Sequence, residues 1–208
     1  MKASETLIIT ISRQLGAGGA YIGQQVARKL NIHYADHEII RKAAEKLSVK
    51  EEDIAKRDEK IQPFWETMLL SSGYTPEFYV PISIKYAPTD AEMFEVETNI
   101  MHKLAENIDA VIIGRGGFHV FKDRPKTLRV FLYASKEYRM DRVMTEHNLN
   151  EKEALEAIND SDRARAKYIE AFTGADWNDA RNFDLSLNTG KLGLEKSIEA
   201  ILAIAKLI

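Results

Sequence analysis

ISRQLGAGGAYIG, residues 11–23, joins a run of apolar β-formers to an amphipathic helix through a turn rich in glycine. Upstream, TLIITIS (6–12) is almost continuously apolar, which suits a central strand buried on both faces. Downstream, Ile22, Val26 and Leu30 recur at helical spacing. In a strand, glycine turn and helix of this kind, several backbone amides converge and the helix N-terminus adds partial positive charge, so backbone alone can hold a phosphate. Gly16, Gly18 and Gly19 supply the backbone freedom. The full motif G-x-x-x-x-G-K-[ST] is absent: Gly19 stands where the lysine would fall, and Tyr21 near where a hydroxyl would meet magnesium. Taken alone, the segment reads equally as a phosphate cradle and as a tight turn that needs small residues.

Outward from this loop the pattern alternates. A short strand, NIHYA, ends at Asp36, a natural N-cap for the helical HEIIRKAAEKL with Ile40, Ala44 and Leu47 on one face. Residues 62–89 break the alternation, holding four of the five prolines (Pro63, Pro76, Pro81, Pro88) and a set of aromatics that includes Trp65 and Tyr79. A loop of that length in a compact domain is usually functional or flexible, and its aromatics argue against simple disorder. Helix returns with Thr89 and Glu92 in capping-box spacing and Phe94, Ile100, Met101, Leu104 and Ile108 on one stripe. DAVIIG (109–114), TLRVFLYA (127–134) and FDLSLN (183–188) read as three more strands, with helical patterns at 135–147, 150–172 and 192–207. Five short strands alternating with helices predict an α/β fold, a five-stranded parallel sheet flanked by helices.

Composition bounds the rest. The 208 residues are 45% hydrophobic, enough for one substantial core and too few for two full-sized domains, so one domain is expected over 1–208. Lysine and arginine number 29 against 32 acidic residues, a net charge of -3, which gives no global attraction to nucleic acid or to an anionic membrane. Any anion site must therefore be local. The absence of cysteine removes disulfides and thiol chemistry and fits a reducing compartment. The opening MKASETLIITISR reads as a first strand and not as a signal peptide, and no window approaches the roughly 20 apolar residues of a membrane helix, so a cytoplasmic protein is expected. His33 and His37 lie across a strand-to-helix junction and the remaining histidines have no partner at metal spacing, so no metal ligand is assigned.

Written against the phosphate loop of bacterial cytidylate kinases, which resembles I-D-G-P-S-G-S-G-K-G-T, Ile11 to Tyr21 runs in register without a gap and keeps Gly16 and Gly18. LNIHYADHEIIR resembles the segment of those kinases that faces the monophosphate, with Tyr34, Asp36 and Arg41 at the matching positions. VIIGRGG resembles their Asp-Gly-Arg-Asp element and keeps Gly114 and Arg115, while Ile113 and Gly116 replace the two aspartates. VFLYASKEYRMDR keeps Arg139 and Arg142 of the helix leading to the lid, and DSDRAR is similar to the lid cluster of arginine and aspartate. Together ISRQLGAGG, IIGRGG and FDLSLNT resemble the cytidylate kinase-like family, a branch in which the loop lysine is typically missing.

That resemblance implies a P-loop nucleoside monophosphate kinase-like fold with a helical lid at about 148–175 and an aromatic and proline-rich insertion at about 62–89. It implies a phosphotransferase that uses ATP with Mg2+ and passes the γ-phosphoryl group to a nucleoside monophosphate or similar small acceptor. Gly16, Ala17, Gly18, Gly19, Ala20 and Tyr21 would form the nucleotide phosphate cradle. Arg13, Arg163 and Arg165 would be the catalytic cations that cover the missing lysine, and Tyr34, Asp36, Arg41 and Arg115 would hold the acceptor. Each has a plainer reading beside it: Arg13 as a strand-end residue, Asp36 as a helix cap, Asp162 with Arg165 as an ordinary surface ion pair three residues apart. Two rival functions stand with the nucleotide kinase. One is a non-catalytic nucleotide-binding or sensing protein that lost the lysine. The other is a kinase for a non-nucleotide metabolite, with the insertion shaping a different pocket. A nucleotide and a small acceptor are the expected partners, with no nucleic acid and no membrane, and apolar surface on 91–108 or the insertion would support a homodimer.

Overall fold

The computed structural model describes residues 6–36 and 90–208. The helix expected after Asp36, Arg41 within it, the 62–89 insertion and the Thr89–Glu92 capping pair lie outside the residues whose placement and side chains are described. Five strands form one parallel sheet: β1 (Ile8–Arg13), β2 (His33–Ala35), β3 (Ala110–Ile113), β4 (Thr127–Tyr133) and β5 (Leu185–Asn188), in the order β2-β3-β1-β4-β5. This is the expected architecture, and the strand bounds fall within a residue or two of the apolar runs that predict them. All six residues of β1 are buried, as a central strand flanked by β3 and β4 requires.

The two faces of the sheet follow the period of two. Ile9, Ile11, Val111, Ile113, Val130 and Leu132 pack with Ile22 and Val26 of α1 (Gly19–Leu30) and with Ile198 and Ile201 of the C-terminal helix. Ile8, Ala110 and Ile112 face the other way, onto Met101 and Ala105 of α2 (Asp90–Asn107) and Phe121. The apolar stripe of α2 stops short of its predicted end: the helix closes at Asn107, and Ile108 is exposed beyond it while Met101 is wholly buried.

A short α3 (Gly117–Val120) follows β3, and α4 (Lys136–His147), capped by Ser135, follows β4. The 23-residue α5 (Glu151–Thr173) starts at a capping box between Asn150 and Glu153 and ends at Gly174 in the left-handed conformation. A one-turn α6 (Thr189–Leu192) and α7 (Leu194–Ala205) complete the chain. β1 connects towards β2 on one side of the sheet, whereas β3 connects across β1 to β4 on the other. Between the C-terminal ends of β1 and β3 the connections diverge, which is where open parallel sheets bind ligands.

Candidate active site

Two glycine turns meet in that crevice. The first follows β1. Gly16 has φ 81 and Gly18, the N-cap of α1, has φ 76, both in the region that disfavours any side chain. The turn is also hemmed in, since a Cβ on Gly16 would sit 2.7 Å from the carbonyl oxygen of Arg139. Its backbone is pinned: Gln14 N–H donates to Leu132 O (3.0 Å), and Leu15 N–H to Asp162 Oδ1 (3.0 Å). Arg139 Nη1 donates to Leu15 O (3.2 Å) and to Asp162 Oδ2 (2.6 Å). The amides that open α1, at Gly19, Ala20 and Tyr21, precede the first helical hydrogen bonds, and no acidic side chain occupies the first turn. The Tyr21 ring turns away, donating its hydroxyl to Glu195 Oε1 (2.9 Å), so its contribution to a cradle is its amide.

The second turn follows β3, and Gly114, Arg115 and Gly116 are all left-handed, with φ 69, 55 and 68. For Arg115 that conformation costs about 1 kcal/mol. It points the guanidinium into the protein, where Nη1 meets Glu97 Oε1 of α2 at 3.1 Å with both side chains buried. Glu97 Oε2 accepts from the Tyr168 hydroxyl of α5 (2.9 Å). Sequence reading missed this carboxylate, yet it left a signal: Glu97 lies between Phe94 and Met101 on the apolar stripe of α2, where an acid has no reason to be unless something pairs with it.

Arg13 is the residue between the turns. It is 3% exposed, and its Nε and Nη2 have no hydrogen-bond partner among the described residues. Burial pushes its pKa down, Asp36 and Tyr34 oppose that, and Arg115 adds to it. Arg165 of α5 is buried as well and donates from Nη1 to the Arg13 carbonyl (2.9 Å). Burial, then the neighbouring Arg13, bring Arg165 down to about 9, with Asp162 at 3.7 Å opposing. Arg13, Arg115 and Arg165 line one cavity of about 20 Å³ with Ser12, Tyr168 and Trp177. Three guanidinium groups in one buried space repel each other, and an arriving anion relieves that repulsion.

The cavity thus gathers Arg13, Arg115 and Arg165 beside the Gly114–Gly116 turn, and Arg13 alone of the three is shown against the first turn, where its stem lies by Gly19; Ala17 is buried. Asp36 is buried at the end of β2 and accepts from Tyr34 Oη at 3.4 Å. Arg163 does not join them. It points outward and pairs with Asp160 at 3.4 Å, both side chains about two-thirds exposed. Residues two apart on a helix lie about 200° around its axis, so Arg163 and Arg165 cannot both face the loop. The surface ion pair read for Asp162 and Arg165 is corrected likewise: Arg165 is buried, and Asp162 serves mainly Leu15 and Arg139. No group of three or more histidine or acidic side chains suited to a metal is found among the described residues. Asp36 is the acidic side chain whose charge supports Arg13. No helix among the described residues is long and apolar enough to cross a membrane.

The model of the cytidylate kinase-like family matches residues 8–191. An uncharacterized protein from Eubacterium ventriosum has a similar solved structure, with a TM-score of 0.70, 21% identity, and coverage of 97% of this chain and 99% of that one. Shikimate kinase from Bacteroides thetaiotaomicron follows the same fold at a TM-score of 0.52 and 15% identity, over 96% of this chain and 98% of that one. Shikimate kinase from Acinetobacter baumannii, in complex with shikimate, is similar at a TM-score of 0.52 and 14% identity, over 97% and 94%. No curated protein matches the sequence.

Proposed function

The chain belongs to the cytidylate kinase-like family, and we propose that it is an ATP-dependent phosphotransferase acting on a nucleoside monophosphate or a similar small anionic acceptor. One observation carries this reading: beside the glycine turn that opens α1, Arg13 runs from Gly19 to the Gly114 turn and shares a buried cavity with Arg115 and Arg165. Phosphoryl transfer asks little covalent chemistry of a protein and much positioning and positive charge. ATP, with magnesium carried on its phosphates, would supply the phosphoryl group. The amides of Gly18 to Tyr21 would hold the donor phosphates, and Arg115 with Arg165 would orient the acceptor's anionic group. Asp36 would take a place beside the metal.

A kinase for a non-nucleotide metabolite is the second reading. The arginine cavity favours it, because three guanidinium groups suit an anionic group such as a phosphate or carboxylate, and that recognition needs no base. Two of the structural relatives are shikimate kinases, and at 14–15% identity their likeness speaks for the fold. Turnover of γ-labelled ATP and magnesium against a panel of nucleoside monophosphates and small carboxylate or phosphate metabolites separates the two. Arg115→Lys keeps a charge beside Glu97 but loses the two-pronged grip, so the acceptor KM is expected to rise roughly tenfold with kcat nearly unchanged. ATP binding with no transfer to any acceptor would leave a nucleotide-sensing protein instead.

A further inference from the structure

Gly19 stands at the lysine position of the phosphate-loop motif, and the reason is steric. It opens α1 with no left-handed φ, so its backbone accepts any L-residue. Space is what excludes a side chain: a Cβ there would sit 2.5 Å from Arg13 Cγ and 2.7 Å from Arg13 Cβ. The stem of Arg13 therefore fills the channel that the stem of a lysine at 19 would enter. Its head ends at the other turn, where a Cβ on Gly114 would overlap Arg13 Nη1. The Arg13 head has two buried, unpartnered nitrogens among the described residues, and it faces Arg115 and Arg165 across the cavity. Burying a guanidinium with two donors unpaired costs stability, which Asp36 and Tyr34 offset in part.

We infer that Arg13 is the cation that replaces the motif lysine, reaching the donor phosphates from the strand side, and that Arg13 and Gly19 are an exchangeable pair in which the stem of one excludes the side chain of the other. This rests on reading the loop as a nucleoside triphosphate site. Lysine offers a point charge, whereas the guanidinium is a planar fork. From its place between the two turns Arg13 can engage oxygens of the donor and of the acceptor together, which a single ammonium group cannot do from the first turn of α1.

The test is a four-variant cycle of wild type, Arg13→Ala, Gly19→Lys and the double variant. Binding of inorganic tripolyphosphate and of ATP is measured by calorimetry, and thermal melting is followed for each chain. Arg13→Ala is expected to weaken tripolyphosphate roughly tenfold or more. Gly19→Lys alone is expected to lower the melting temperature and to weaken binding, because its stem and Arg13 compete for one channel. The double variant is expected to recover both, close to wild type. Unchanged binding in Arg13→Ala, or a double variant no better than the worse single, overturns the inference. Should Arg13→Ala not fold, Gly19→Ala displaces Arg13 without removing it, and tripolyphosphate binding that survives Gly19→Ala overturns the inference equally. Tight binding by wild type without phosphoryl transfer defeats the kinase reading alone, since the cycle still reads out. Failure of wild type to bind either probe defeats both.

Discussion

Glu97 decides what kind of arginine Arg115 is. With the carboxylate at 3.1 Å, one edge of the guanidinium is neutralised, and Nε has no partner among the described residues. Substituting Glu97→Gln leaves Arg115 buried with its charge uncompensated, and stability in urea should fall by about 3 kcal/mol. The same change makes the crevice more positive, so inorganic phosphate or pyrophosphate should raise the melting temperature of Glu97→Gln more than that of wild type. If Glu97 balances Arg115 without tuning an anion site, the first effect would be seen and the anion-dependent rise would be equal in the two proteins.

At the scale of elements, the same residue type in the same conformation answers to different surroundings. Gly16 and Gly174 are both left-handed, at φ 81 and φ 66, one in the β1 turn and one capping α5. Nothing lies within 4 Å of a Cβ placed on Gly174, so Gly174→Ala should cost only the conformational term, about 1 kcal/mol in urea unfolding. On Gly16 the Cβ would meet the backbone of Arg139, which cannot swing aside as a flexible side chain can; Gly16→Ala should cost more than twice as much. Equal costs would mean that the loop and α4 are not in tight register. The elements themselves were legible, because β1, β3 and β4 are apolar runs fully or largely buried in the sheet and α5 carries its period from Ala154 to Ile169. The facing of α5 was harder to read: DSDRAR puts charge on every side of the helix, and only contact with the loop reveals that Asp162 and Arg165 turn in while Arg163 turns out. Glu97, an acid on an apolar stripe, signals that it needs a partner, but which one was illegible, since Arg115 is eighteen residues on and reaches it only through a left-handed turn that flanking glycines allow without dictating.

Across the whole molecule, α5 ties the parts together. Its N-terminal half packs Ala154 and Ile158 against Leu15 and Val143, and its C-terminal half packs Ile169 with Phe118, Phe131, Trp177 and Phe183 beside β4. Phe94 of α2 stacks on Phe172 at 5.1 Å, joining a third element. Between these two apolar anchors Asp162 takes the Leu15 amide and the Arg139 guanidinium, and Arg165 takes the Arg13 carbonyl. The glycine turn is thus held in shape by α5, so the conformation of the turn and the position of α5 share one set of bonds. Asp162→Asn keeps the shape but loses the charge that balances Arg139, and the Leu15 tie should weaken by about 2 kcal/mol. Native-state hydrogen exchange at the Leu15 amide should then accelerate roughly thirtyfold, while amides in the centre of β1 change only by the global loss of stability. Tripolyphosphate, by ordering the turn from the opposite side, should restore much of that protection in the variant. Leu15 exchange unchanged by Asp162→Asn would mean that α5 packs over the loop without governing it.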